Sequence, residues 1–352
     1  MGRPARAPVT EPAAAPTLHD AIVIGGGVTG AGVARDLALR GVSVLLLEKG
    51  DWGGGASGAS SWLVHGGPRY LASDPEMARL SCEDAGRLVR IARHMVHRCV
   101  MLVPVLPGDR LGIERLETAM EVYDRLQPLK EARPHLRLSG AEARRLEPGL
   151  SPAVAAAVTL EEWGVDPHRL AWANVLDAMR SGAHALNHTA VEAILHDGGN
   201  VAGVRCRAPD GRRVDARARV VVNAAGPWAP AVAAMAGAQV RLRPAKGVHV
   251  VYDRRISNFA ITAEAVDGRE LALVPHGGAT LLGTTDDDHY GDLDALDVLP
   301  DEVDYLLQAA ERVFPTIREH RPVRATAGVR PTLFAWRPSE DDLSRRFAVL
   351  DH

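Results

Sequence analysis

Asp20–Gly25 (DAIVIG) is a short unbroken apolar run that flows into glycines. A run without alternation predicts a strand buried on both faces of a parallel sheet. Val28–Arg40 then carries small and apolar residues at helical spacing, with Gly41 where a left-handed C-cap is favoured. Val42–Glu48 (VSVLLLE) predicts the next strand. Strand, helix and strand form one βαβ unit.

Downstream the rhythm changes several times. Residues 75–98 predict a helix with Arg87, Arg90, Arg93 and Arg98 on one side. That side is either the solvated face of a packed helix or a membrane-surface face. Residues 138–147 predict a short helix in which Ser139 and Glu142 make a capping box. Thr189–Leu195, Val201–Arg207 and Arg213–Ala216 alternate and are separated by GGN and PDG turns, which predicts a three-stranded meander. Val220–Val222 predicts a buried strand ending in NAAGPW. Strands at His249–Tyr252, Glu270–Val274 and Thr280–Gly283, with a helix at Asp301–Val313, predict a second sheet, antiparallel or mixed. Phe347–Leu350 reads as a last strand.

Composition narrows the class. The chain has 352 residues, enough for one large or two modest domains. Its net charge of −3 gives no support to a nucleic-acid partner. Cys82, Cys99 and Cys206 are scattered without CxxC spacing, which points to a reducing, cytoplasmic compartment rather than a disulfide framework. The 14 histidines include no HExxH, so no metal site is expected. Residues 1–18 are rich in Pro and Ala and lack an apolar core, so they read as a disordered leader rather than a secretory signal. No run of 18 apolar residues occurs, so membrane contact, if any, is peripheral.

Gly25-Gly26-Gly27-Val28-Thr29-Gly30 fits GxGxxG at the strand–helix junction. Gly25 permits the turn, Gly27 lets backbone approach a pyrophosphate, and Gly30 lets helix pack on strand. The first helical turn, including Val28 and Thr29, offers N–H groups to phosphate. Glu48, closing the second strand, suits ribose hydroxyls. The next segment, DWGGGASGASSWLVHGG (Asp51–Gly67), is a long glycine- and serine-rich loop. Its backbone N–H groups and the hydroxyls of Ser57, Ser60 and Ser61 suit an extended dinucleotide, which favours FAD over NAD. His65, Gly66 and Gly67 close that loop.

Through these blocks and those that follow them, the chain resembles the FAD-dependent, quinone-linked glycerol-3-phosphate dehydrogenases, within the glycine- and D-amino-acid-oxidase-like group. The matching blocks are DAIVIGGGVTGAGVARDLALRG, LLLEKGD, SSWLVHGGPRYL, GVDPHRLAWAN, VVVNAAGPW, KGVHVV, LLGTTD and AGVRP, from Asp20 to Pro331. The resemblance implies an α/β fold: an FAD-binding Rossmann-like domain of the two-dinucleotide-binding-domain type, with an interleaved mixed or antiparallel-sheet substrate domain. The expected division is 19–75, 160–235 and 326–352 for FAD, and 76–159 and 236–325 for substrate. It implies oxidation of sn-glycerol 3-phosphate to dihydroxyacetone phosphate, by hydride transfer from C2 to flavin N5, with a quinone or other acceptor downstream. Peripheral attachment to the inner face of the cell membrane is compatible with that acceptor. Oligomeric state is left open.

The resemblance assigns Arg69, Tyr70, Thr284, Thr285 and Arg330 to the substrate pocket. Arg345 is either a further phosphate ligand or a solvated charge. Ala225, Gly226 and Trp228 of NAAGPW fall near the cofactor, and Val191 falls either at the adenine or in ordinary strand core. Alcohol oxidation needs a base, and His65 and His249 are the two histidines in matching blocks. Arg330 can add stabilisation of alkoxide charge.

Two departures are visible. Trp62 stands where the family usually has lysine (SSKLxHGG), and tryptophan cannot supply a charge beside the reduced ring. The family also continues past the expected strand Phe347–Leu350 with a GGKxTTYR segment, whereas this chain stops at His352. One wall of the flavin site is therefore expected to be open. Two alternatives stay beside the main reading: an FAD oxidase of an amino or hydroxy acid, and a truncated, inactive FAD-binding paralogue.

Overall fold

The computed structural model describes residues 18–337 and 343–352. The expected leader lies outside these residues except for Leu18, which opens the first strand. In chain order the elements begin β1 (Leu18–Ile24), α1 (Val28–Leu39), β2 (Val44–Leu47), β3 (Leu63–Val64), α2 (Pro75–Ile91), β4 (Val96–Val105) and α3 (Ile113–Asp124). They continue β5 (Arg137–Ser139), α4 (Gly140–Leu146), β6 (Ala156–Val165), α5 (Pro167–Arg180), β7 (His184–Leu186), β8 (Ala190–Asp197), β9 (Asn200–Arg207) and β10 (Arg213–Asn223). The last are α6 (Ala229–Met235), β11 (Leu242–Tyr252), β12 (Ala260–Glu264), β13 (Glu270–His276), β14 (Ala279–Gly283), β15 (Asp287–Asp288), α7 (Pro300–Val313) and β16 (Pro322–Leu333).

Two sheets organise them. A six-stranded sheet has the order β7-β2-β1-β10-β9-β8. Strand β1 is central and parallel to both neighbours, and Ile22 and Val23 are fully buried, as the unbroken apolar run requires. Helix α1 covers one face through Ala31, Ala34 and Ala38, packed with Val175 and Ala178 of α5. Small side chains at this spacing let the two helices approach closely.

The second sheet has ten strands along the path β15-β11-β14-β13-β12-β4-β6-β3, with β16 on β11 and β5 on β6. Its core gathers Val248, Val250 and Tyr252 of β11, Ile261 of β12 and Leu282 of β14 beneath Leu306 and Val313 of α7.

Several expectations need correction. Arg213–Ala216 and Val220–Val222 are one strand, β10, antiparallel to β9 at its start and parallel to β1 over its later part. Strand β6 lies in the large sheet along its whole length, so the division expected at 160 falls inside a strand. Likewise β16 pairs with β11 from Pro322 to Leu333, so the return expected at 326 does not occur there. In each case uninterrupted pairing satisfies backbone groups that a mid-strand crossing would leave open.

The helix expected over 75–98 ends at Ile91, and 96–98 begin β4. Three of the four arginines on its basic side are paired: Arg87 with Asp84, Arg93 with Glu131 and Arg98 with Glu161. Phe347–Leu350 forms no strand, and Phe347 and Val349 are exposed. Among the described residues no helix is long and apolar enough to cross a membrane.

The capping box is present as expected: the Ser139 hydroxyl accepts from the Glu142 N–H, and Glu142 accepts from the Ser139 N–H. Ser139→Ala should lower unfolding free energy by about 1 kcal/mol. Urea denaturation checks this; a change below the measurement error would deny the box a role in stability.

Candidate dinucleotide and substrate site

The glycine turn between β1 and α1 is shaped by close backbone contacts. Gly25 has φ +108°, and a Cβ there would lie 2.5 Å from the Ala224 carbonyl oxygen. A Cβ at Gly30 would lie 1.9 Å from the Gly25 carbonyl oxygen. Strand, helix and the NAAGPW turn can meet only because neither position has a side chain. No acid occupies the first turn of α1, so its N–H groups and positive dipole end are not neutralised from within. The Ser57 hydroxyl accepts from the Val28 N–H at 3.0 Å and lies in front of Gly27. Thr29 is exposed beside it.

Glu48 closes β2 with both carboxylate oxygens on backbone amides, Gly26 at 2.6 Å and Gly50 at 2.7 Å. Each oxygen keeps a further lone pair for a hydroxyl donor. The Glu48 carbonyl accepts from the Thr189 N–H at 2.7 Å, which fixes the start of β8 beside it. Val191, two residues on, packs against the β1–β2–β9 core, as does Ala225. Gly226 has φ +56°, and Asn223 shapes the same turn by donating to the Ala229 carbonyl at 2.8 Å. Sequence reasoning assigned no role to Asn223.

The glycine-rich loop faces the second sheet. Gly54, Gly55, Pro227, Trp228 and Gly328 line a cavity of about 80 Å³ between the loop, the NAAGPW turn and β16. Lys49 stands 3.8 Å from the Trp228 ring centroid. Ser60 accepts from the Trp62 N–H at 3.3 Å, a local turn bond. Trp62 has φ +58°, rare for a bulky residue. Its indole donates to the Gly58 carbonyl at 3.0 Å and packs edge-on against His276 at 4.8 Å.

Ser61 Oγ meets His249 Nε2 at 2.9 Å. His249 is 3% exposed, and burial, with Arg330 assisting, lowers its pKa to about 4. Its ring is neutral at pH 7, and Nδ1 has no partner among the described residues. His65 is different. The residue is solvent-exposed, although protein crowds its ring closely enough to desolvate it. That surrounding protein lowers its pKa, against the pull of Glu162. Tyr70 lies 6.3 Å away ring to ring, and the Arg69 guanidinium stands 5.6 Å over the Tyr70 ring.

Arg330 and Arg345 come together on Asp286, a residue sequence reasoning passed over. Arg330 bonds one Asp286 oxygen, and Arg345 stands 3.8 Å from the other. Arg345 also donates to Thr332 at 2.9 Å and is well buried, so it is no solvated charge. Thr284 sits where a Cβ on Gly247 would strike it, with Arg330 close by. Thr285 is a correction: it is 2% exposed and its hydroxyl accepts from the Val248 N–H at 3.0 Å, so it locks strands and does not line a pocket.

Behind Gly66 lies a second group that sequence reasoning missed. Glu162, Lys130 and Tyr123 are fully buried and mutually bonded. Glu161 and Glu162 inside the otherwise apolar AAVTLEEWGV run were the available signal. Among the described residues no cluster of three or more His, Cys, Asp or Glu could hold a metal ion.

Parallel strands β7, β2, β1 and β10 within a mixed sheet, with a glycine turn, a helix N-terminus, a strand-end acid and a second sheet facing the loop, define a dinucleotide-binding oxidoreductase. The family model for FAD dependent oxidoreductases matches residues 20–349, and the chain belongs to that family. It is similar to a component of the anaerobic glycerol-3-phosphate dehydrogenase of Escherichia coli (strain K12), 38% identical over 336 residues, covering 95% of this chain and 61% of that protein. It is similar to the alpha-glycerophosphate oxidase of Streptococcus pyogenes serotype M1, 34% identical, covering 89% of this chain and 54% of the other. Among solved structures it resembles the glycerol-3-phosphate dehydrogenase from Bacillus halodurans complexed with FAD. The TM-score is 0.74 at 28% identity, over 90% of this chain and 57% of that one. The chain thus spans less than two thirds of the length of these relatives.

Two outcomes are expected. Gly30→Ala places a methyl against backbone that cannot yield, so the variant should lose FAD on gel filtration; undiminished flavin absorbance would refute the packing argument. His249 is held below its unfolded value of about 6.5, so between pH 6.5 and about 4 the unfolded chain binds more protons. Stability should therefore fall as pH drops through that window, by about 3 kcal/mol from this group. His249→Asn should flatten that slope in denaturation series, and an unchanged slope would place the effect elsewhere.

Proposed function

We propose that the chain oxidises sn-glycerol 3-phosphate to dihydroxyacetone phosphate on FAD, passing electrons to a quinone or another acceptor. The observation that carries this reading is the pair Arg330 and Arg345 gathered on Asp286, beside the neutral ring of His249. A phosphate ester suits two guanidinium groups on one wall, whereas one arginine suffices for a carboxylate substrate. The names of the relatives point the same way.

The residues present fit FAD. The Gly25–Gly30 turn, the α1 N-terminus and Ser57 suit the pyrophosphate, Glu48 the ribose, and Val191 the adenine end. Ser60, Ser61, His65, Gly66, Gly67, Ala225, Gly226 and Trp228 are assigned to the flavin end. The indole N–H of Trp228 and Nδ1 of His249 are buried polar atoms that lack a protein partner among the described residues, as groups awaiting a ligand would be. FAD, when bound, supplies the hydride acceptor.

The chain's own task is the alcohol proton. As the C2–H bond breaks with its electron pair leaving as hydride, the hydroxyl proton needs a base. We assign that role to His65, which is exposed and held below the ordinary histidine pKa by the protein packed around it. His249 is committed through Nε2 to Ser61, so it orients that serine. Arg69 and Tyr70, on the His65 wall, and Arg330 with Arg345, on the Asp286 wall, would grip the substrate from two sides. Thr284 borders the second wall.

Glycerol 3-phosphate should bleach the flavin of the purified holoprotein under anaerobic conditions. A holoprotein that stays oxidised at millimolar substrate sinks the reading, and bleaching by an amino or hydroxy acid instead would replace it. Arg330→Gln should raise KM roughly 10- to 100-fold, the worth of one charge-assisted hydrogen bond. An unchanged KM in steady-state assays would remove Arg330 from the phosphate site.

A further inference from the structure

The buried group behind the HGG turn has a geometry that ordinary core packing does not need. Glu162 Oε2 accepts from the Gly66 N–H at 2.9 Å and meets Lys130 Nζ at 2.5 Å. Its Oε1 accepts from the Tyr123 hydroxyl at 2.8 Å. Lys130 Nζ spends its other donors on the Tyr123 oxygen at 3.0 Å and the Glu161 carbonyl at 2.8 Å. The Gly66 carbonyl faces Cys82 Sγ at 3.7 Å. Both polar groups of the Gly66 backbone are thus held by buried side chains. A Cβ on Gly66 would lie 2.1 Å from the Tyr123 oxygen and 2.4 Å from Cys82 Sγ, so only glycine can sit on this platform.

Four elements build it: Cys82 from α2, Tyr123 from α3, Lys130 from the turn after α3, and Glu162 from β6. A carboxylate and an ammonium taken fully out of water gain little net stability, because desolvation consumes most of their attraction. Burial indeed pulls the Lys130 pKa down and pushes Tyr123 and Cys82 up. The one thing the network does that an apolar plug could not is fix the Gly66 peptide. His65 precedes that peptide and Gly67 follows it, at φ +69°.

We infer that Glu162 is a positioning residue: through the Gly66 N–H it sets the height and orientation of the His65–Gly67 turn, while Lys130 and Tyr123 hold its carboxylate in place. The inference rests on the proposed role of His65 for its kinetic consequence and on the fold alone for its structural one. His65 faces Arg69 on its own turn, and Glu162 and Lys130 from the elements packed behind it.

The test compares two charge-free double variants in the FAD-loaded chain. Lys130→Met with Glu162→Gln keeps an acceptor for the Gly66 N–H and a donor for Tyr123. Lys130→Met with Glu162→Met removes the acceptor. Amide hydrogen exchange of the 63–71 peptide should match the parent in the first and rise at least about tenfold in the second. With glycerol 3-phosphate, kcat should fall about 10- to 100-fold in the second at a KM within about threefold of parent, and stay near parent in the first. A merely structural network would give the two variants the same kcat and the same exchange at 63–71, and that result overturns the inference. A parent flavin that glycerol 3-phosphate does not bleach overturns the proposed function instead, and the exchange comparison then still decides the positioning. If the Glu162→Met variant does not fold, Glu162→Asp with Lys130 retained, which withdraws the carboxylate by one methylene and keeps its charge paired, takes its place with the same expected loss and the same overturning result.

Discussion

Everything at this site depends on three backbones meeting at one point. The turn after β1, the first turn of α1 and the segment after β10 converge where Gly25, Gly30 and Ala224 leave no room for a side chain. Hydrogen bonds complete the junction: Gly25 donates to the Leu47 carbonyl at 2.8 Å and Ala224 to the Ile24 carbonyl at 2.9 Å. A Cβ on either glycine meets carbonyl oxygen, which cannot rotate away. The glycines therefore act first as a packing condition, and the open amides of the helix end follow from it.

The two sheets carry different kinds of order. In the nucleotide sheet the site is mostly backbone: amides, glycines and one carboxylate, Glu48, that ties two amides together. In the large sheet the site is mostly side chain: His249, Arg330, Arg345 and Asp286 at the β11–β14–β16 face. The loop 51–67 joins the two, and Ala59 lies so close to Gly328 that a Cβ there would come within 2.4 Å. On the proposed function, backbone order would grip a constant ligand portion and side-chain order would select the substrate.

Features set by neighbours in the chain were legible in the sequence. The βαβ unit, the capping box of α4 and the meander of β8, β9 and β10 depend on period, caps and turns a few residues long. What was not legible depended on contacts between distant segments. The role of Thr285 turns on β11, thirty-odd residues away. Asp286 matters because two arginines converge on it from β16 and beyond. Glu162 drew no reading from the sequence, and only the packing of α2 and α3 over β6 shows it buried. Mid-strand boundaries at 160 and 326 failed for a related reason, since hydrogen-bond ladders on both sides of each point are continuous and composition alone does not show them.

Strand β10 has a consequence of another kind. Leu18 pairs with Arg217 and Ile24 with Asn223, about 200 positions later. During synthesis β1 therefore waits with one edge open until β10 emerges, for roughly 10–40 s at ordinary ribosome speeds. The open edge is apolar and extended, a template for pairing with another nascent chain. Among the described strands β1 thus waits longest for its second partner, although the larger sheet, closed by β16, is completed later.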